Sequence, residues 1–176
     1  MKKLLATLLC LAPISAFAVP ITGSISLDGQ DSYSASKINF VGTGNVGPGT
    51  ASGSFSPAFS AGCTGCVALT SFNYVGFMSP VTVYSATIGA ITTAFQVTSI
   101  AFAQQAGAFL DIEAKGFATL TGFDKTPGVF QLSSQGGISK AVTFSATTTA
   151  TPTPEPMSMA VLGAGLLGVG LFRRKA

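Results

Sequence analysis

The sequence predicts an all-β exported domain, an antiparallel β-sandwich or jelly-roll-like single domain. Three observations carry that prediction. Apolar and polar residues alternate with period two in short runs. Gly, Ser, Thr, Val, Ile, Phe and Ala dominate while Glu, Lys, Leu and Arg, which exposed helices need, are scarce. No helical period is visible between Val19 and Thr149. About eight to ten strands fit at the spacing that sandwiches and barrels share.

In chain order, Ile21, Gly23, Ile25 and Leu27 share a face that should end at a turn, Asp28-Gly29. The Gly-rich stretch from Gly42 to Gly53 is expected as a loop. Val67, Leu69, Ser71 and Asn73 alternate with Ala68, Thr70, Phe72 and Tyr74. Val81 and Val83 follow Pro80, a residue suited to a strand start. Ile91, Thr93, Phe95 and Val97 give a further face. Leu110, Ile112 and Ala114 against Asp111, Glu113 and Lys115 make the clearest half-buried strand. Phe130 and Leu132, then Val142, Phe144 and Ala146, complete the set. Thr126-Pro127-Gly128 reads as a tight turn in which Pro presets φ and Gly supplies a positive one.

Both ends differ from this middle. Lys2 and Lys3, an apolar run from Leu4 to Leu11 and the small-residue ending Ala16-Phe17-Ala18 form a signal-peptide pattern. It predicts a signal helix over 1–18, removed by signal peptidase between Ala18 and Val19 after passage through the secretion machinery. A lipoprotein signal on Cys10 fits less well, because Leu9 precedes it where a small residue is needed. The exported domain is assigned to 19–146 and a Thr/Pro-rich stalk to 147–153, since such composition makes semi-extended linkers. The segment 154–176 consists of Pro154-Glu155-Pro156, an apolar run Met157–Phe172 and the basic cluster Arg173, Arg174, Lys175. As a single transmembrane helix the run would extend about 24 Å, short of the roughly 30 Å hydrocarbon core but tolerable with snorkelling and local thinning. The basic cluster belongs inside and the domain outside.

Removing the ends changes the electrostatics. The whole chain carries +3, yet between Val19 and Pro156 four bases face six acids, a net −2. No basic stripe exists, so nucleic acid is excluded as a partner. Ile38–Leu110 holds no charge at all, so its wet side must consist of Ser, Thr, Asn, Gln and Gly.

Few residues carry chemistry. Cys63-Thr64-Gly65-Cys66, in an exported domain, reads foremost as a local disulfide stapling a turn. The redox reading wants a helix N-terminus and the zinc reading wants more ligands, in a chain without histidine. Asp111 and Glu113, two apart on a strand, lie within roughly 7 Å like a glycosidase pair. Lys115 on the same face and apolar residues opposite make an ordinary solvated strand the stronger reading. Asp28 and Asp31 could offer oxygens to calcium but form a thin ligand set. With no histidine, His-dependent triads are absent. Gly163-Ala164-Gly165-Leu166-Leu167-Gly168 fits a dinucleotide-binding expression but lacks the preceding strand and the following acid. The sequence therefore predicts no enzyme, no metal site and no cofactor.

The order Pro-Glu-Pro, Gly-rich apolar segment, basic terminus resembles the PEP-CTERM sorting signal of Gram-negative, exopolysaccharide-producing bacteria. The resemblance covers Pro154 to Ala176. It implies that an exosortase, a membrane transpeptidase, recognises Pro154, Glu155 and Pro156, with Arg173, Arg174 and Lys175 as the stop. It also implies a transient membrane anchor through the C-terminal helix, followed by a cell-surface or secreted location. Gly122-Phe123-Asp124-Lys125-Thr126-Pro127-Gly128-Val129-Phe130, continuing to Ser134-Gln135-Gly136, is similar to a stretch of uncharacterised domains that carry this signal. The expected role is non-enzymatic, structural or interactive, in extracellular matrix, biofilm or cell envelope. The alternatives are a polysaccharide-binding module with exopolysaccharide as partner and, behind it, a secreted hydrolase.

Overall fold

A computed structural model describes residues 19–78, 80–135 and 142–150, with backbone alone over 142–148. The strands are β1 (Gly23–Tyr33), β2 (Lys37–Ala51), β3 (Cys63–Leu69), β4 (Phe72–Asn73), β5 (Val81–Ile88), β6 (Ile91–Ala106), β7 (Phe109–Leu120), β8 (Thr126–Gln135) and β9 (Val142–Ala150). A single helical turn, α1 (Ser56–Phe59), follows a 3-10 turn at Gly53–Phe55. Among the described residues no helix is long and apolar enough to cross a membrane. The expected signal helix over 1–18 and transmembrane helix within 154–176 lie outside the described residues.

The sandwich or jelly roll is corrected to a closed barrel. The order β1-β9-β8-β7-β6-β5-β3-β2 returns to β1, because β1 pairs on one side with β9 and on the other with β2. All eight strands run antiparallel, and β4 adds a two-residue pairing to β2. Period-two alternation is common to both architectures, so it could not separate them. Closure depends on bends within long strands. The β1–β2 register slips between Ile25 and Leu27 and again between Asp28 and Gln30. The β6–β7 register slips at Val97/Ser99 and Ile100/Phe102. Bulges of this kind bend and coil a strand until a sheet can meet itself.

Three local expectations change for the same reason. Asp28-Gly29 is no turn but the middle of β1, opposite a bulged β2. The Gly-rich stretch is the second half of β2, a 15-residue strand, and not a loop. Thr126-Pro127-Gly128 begins β8, and the turn lies earlier, around Gly122 with φ of 87°. Residues 147–150, expected as the start of the stalk, pair with both β1 and β8 as the end of β9. Threonine is β-branched, and with two strands to pair with, its strand preference prevails over a linker composition.

The core fills the barrel. Phe55 and Phe59 of the helical link, Tyr33, Tyr84, Phe95 and Phe130 are fully buried. Small inward residues of β7 (Ala114, Gly116, Ala118) face large ones. Gly116 pairs directly with Gly128. A Cβ on Gly116 would stand 2.0 Å from the Gln96 carbonyl oxygen, and one on Gly128 2.5 Å from that of Thr149. The Phe95 ring covers both glycines and stacks on Phe130 at 6.0 Å between centroids. Each such ring contributes about 1.5–3 kcal/mol by leaving water. On β7 and β8 the outward rows are mixed: Asp111, Glu113, Lys115, Thr119, Gln131, Ser133 and Gln135 alternate along the strands with the buried row, and Phe109, Phe117, Pro127 and Val129 share that outer side with them.

Candidate functional site

Among the described residues, the outer wall of β6, β7 and β8 brings a group of polar and charged side chains together in one groove. Asp111 and Glu113 point outward from β7, as their period-two spacing dictates. The β7–β8 register sets Asp111 opposite Ser133 and Glu113 opposite Gln131. Ser133 Oγ donates to Asp111 Oδ1, and Gln131 Nε2 donates to Glu113 Oε2 at 3.2 Å. On the other flank Phe102 of β6 stands opposite Glu113 and is 50 % exposed. These residues line an open groove of about 450 Å³. An acid–base pair for glycoside hydrolysis flanks a bond from two sides. Both carboxylates here rise from one strand, each held by a neutral neighbour. The group can offer acceptors, an amide and an aromatic edge to a passing ligand.

Asp28 and Asp31 do not converge. Asp28 is half-buried on the outer side, where Asn45 Nδ2 donates to its Oδ2 at 3.0 Å. Asp31 points inward and is 0 % exposed. Ser134 Oγ donates to Asp31 Oδ1 at 2.9 Å, while Asp31 Oδ2 and the Tyr33 hydroxyl are buried without a hydrogen-bond partner among the described residues. Burial pushes the Asp31 carboxyl above its ordinary 3.8, and the Ser134 hydrogen bond only partly opposes this. The described residues contain no group of three or more His, Cys, Asp or Glu able to hold a metal. Sequence reasoning missed the buried acid because the strand was ended at Leu27. Continued in phase, Ile25, Leu27, Gly29, Asp31 and Tyr33 form one inward row.

Cys63 and Cys66 lie at disulfide distance, with Cα atoms 5.8 Å apart at the start of β3. Asn45 ties this corner to β1: its Oδ1 accepts from the Gly65 N–H at 2.8 Å while its amide holds Asp28. α1 ends at Phe59, before the pair, so no helix N-terminus supports the thiol chemistry of a redox centre.

At the far end of the barrel Tyr74 acts as a clasp. Its hydroxyl donates to the Ser34 carbonyl and lies 3.3 Å from Gln105 Oε1. Burial, and secondarily Tyr33, raises its pKa above the ordinary 10.0.

The remaining sequence-predicted site residues belong to the ends. Ala16 and Ala18 lie outside the described residues, while Val19 accepts through its carbonyl from the Asp124 N–H at 3.2 Å. Pro154, Glu155, Pro156, Arg173, Arg174 and Lys175 also lie outside the described residues, but all fall in a segment, 152–175, that matches the family model of the PEP-CTERM protein-sorting motif. This chain carries a PEP-CTERM sorting signal. The motif implies export, a membrane-associated signal at the C-terminal end and recognition by an exosortase. No curated protein and no solved structure is significantly similar to the chain. The PEP-CTERM match thus speaks for 24 residues beyond the last described strand in sequence, and the role of the barrel rests on its own surface.

Proposed function

We propose that this is an exported surface or matrix protein, cut by an exosortase near Pro154-Glu155-Pro156, whose barrel has a non-enzymatic structural or interaction role in biofilm or cell envelope. The observation that carries it is the sorting motif standing directly after a closed barrel. The absence of paired catalytic geometry around Asp111 and Glu113 supports a role without turnover. Replacing Pro154, Glu155 and Pro156 together by alanine should leave full-length protein in the membrane fraction. Immunoblotting of cell fractions and intact mass of the product check this. Unchanged processing would overturn it.

One observation favours a second reading, a polysaccharide-binding module. Sugars present a hydrophobic C–H face and a rim of hydroxyls. Phe102 offers the first an exposed ring, and Asp111, Glu113, Gln131 and Ser133 offer the second acceptors and donors within one groove. A glycan array with the purified barrel tests this reading. Phe102→Ala should weaken binding to any glycan retained by about five- to thirty-fold, the usual loss for an aromatic anchor. Equal retention by wild type and variant would remove the groove from consideration.

A further inference from the structure

The two ends of the barrel are unlike, and the chain uses only one of them to enter and leave. Pro20 forms a bridge to Asp124, next to the turn between β7 and β8. At the other end of the described chain, Ala150 pairs with Gly23 on β1 and with Gly128 on β8. Both therefore lie at the end formed by the 52–62 link, the Gly89-Ala90 hairpin and the 121–125 turn. The opposite end carries the 106–109 hairpin, Lys37 and the exposed apolar side chains of Met78 and Phe109.

The first residue matched by the sorting motif, Pro152, stands two positions beyond Ala150. Four residue steps separate Ala150 from Pro154, a reach of at most about 14 Å for a fully extended chain. An enzyme that holds an extended substrate needs several residues within its own cleft, so little chain is left to keep its body away from the barrel. The terminus-bearing end suits close approach. Its hairpin and turn tips are small and uncharged (Ala61, Ala90, Thr121, Gly122), beside the exposed Val19, with Asp124 and Lys125 its charged residues among those described. Lys125 is already engaged, lying 4.6 Å above the Phe117 ring and 2.8 Å from Gln96 Oε1.

We infer that the terminus-bearing end of the barrel is a docking surface for the exosortase during processing, an inference that rests on the exosortase reading above. The contact surface is the set of short tips around Ala90 and Thr121. The groove beside Phe102 lies on the side wall and stays uncovered while the signal is being cut.

The test uses full-length protein in cells that process it. A photo-crosslinking amino acid replaces Ala90, Thr121 or, at the opposite end, Ala108, all three exposed. Irradiation should trap an adduct containing the exosortase from positions 90 and 121 and none from 108. Inserting ten Gly/Ser residues between Thr151 and Pro152 should cut the yield of that adduct by roughly threefold or more, since effective concentration falls with linker length. Equal yield from position 108 would overturn the docking surface. Adducts with lipid alone, or none while cleavage proceeds, would do the same. In the same cells, cleavage that survives replacement of Pro154, Glu155 and Pro156 by alanine would sink the sorting reading itself. The two failures are thereby kept apart.

Discussion

The wall built from β7 and β8 and the wall built from β1 and β2 close the same barrel by different means. Along β7 and β8 ten consecutive residue pairs run from Phe109↔Gln135 to Ala118↔Thr126 without a slip. Side chains alternate strictly between core and water, and the glycines Gly116 and Gly128 serve space, letting the Phe95 ring and two neighbouring carbonyls approach. Along β1 and β2 the register slips twice, and Gly42 serves conformation, with φ of 71° and nothing within 4 Å of where its Cβ would lie. One wall is regular and crowded at its glycines; the other is irregular, crowded at Gly23 and Gly44 but open at Gly42. A regular wall fails when something is added to it; an irregular wall fails when its backbone is denied an unusual angle.

The largest effect should come from crowding the regular wall. In Gly116→Ala the new methyl would meet the Gln96 carbonyl at 2.0 Å, a backbone atom that cannot swing aside. Relief needs β6 and β7 to part, which also unstacks Phe95 from Phe130. A cost of about 3 kcal/mol or more is expected, in the range of severe overpacking. Urea denaturation of the barrel checks it through a lower midpoint with an unchanged slope. A midpoint within error of wild type would mean that the two strands already stand farther apart and that the tight fit is not what fixes them.

The second effect separates the walls by charge. Asp111 and Glu113 face water from the regular wall, while Asp31 faces the core from the irregular one. Because burial raises the folded-state pKa of Asp31, the folded protein favours the protonated form. The contribution of this group is complete below its ordinary value of 3.8 and is lost as pH rises through the raised folded value, above which it stays flat. Asp31→Asn cannot ionise and can keep the bond to Ser134. The gap in Tm between variant and wild type should therefore widen in the variant's favour as pH increases from below 3.8, then level off. Parallel Tm curves across that range would show that Asp31 reaches water in solution.

How far each wall was legible follows from the same contrast. Leu110, Ile112 and Ala114 against Asp111, Glu113 and Lys115 announce β7, because a strict period leaves only one way to bury the apolar row. In β1 the dipeptide Asp28-Gly29 imitates a turn, and the in-phase residues Asp31 and Tyr33 were lost with it. The glycines of β2 imitate a loop, since bulge and loop draw on the same residue. Closure itself was hidden, for it depends on β1 meeting β9 across more than a hundred residues, a pairing that no local pattern encodes. The groove was half legible. Its two carboxylates stand in the sequence, but Phe102 looks like any core phenylalanine until the slip between Ile100 and Phe102 is seen. The sorting signal needed no fold, because a receptor reads it as a linear order of residues.

The smallest expected effect tests whether the irregular wall is truly conformational. Gly42→Ala adds a methyl that touches nothing, so any cost must come from the backbone angle. A left-handed φ costs a non-glycine residue about 1–2 kcal/mol, which sets the expected loss of stability. Gly42→Asn supplies the control, since asparagine tolerates that region through local hydrogen bonding and should recover part of the loss despite its greater bulk. Were packing the cause, asparagine would be worse than alanine. Urea midpoints in the order glycine, asparagine, alanine would assign the bulge to backbone angle, whereas alanine above asparagine would return β2 to the same steric logic as β7.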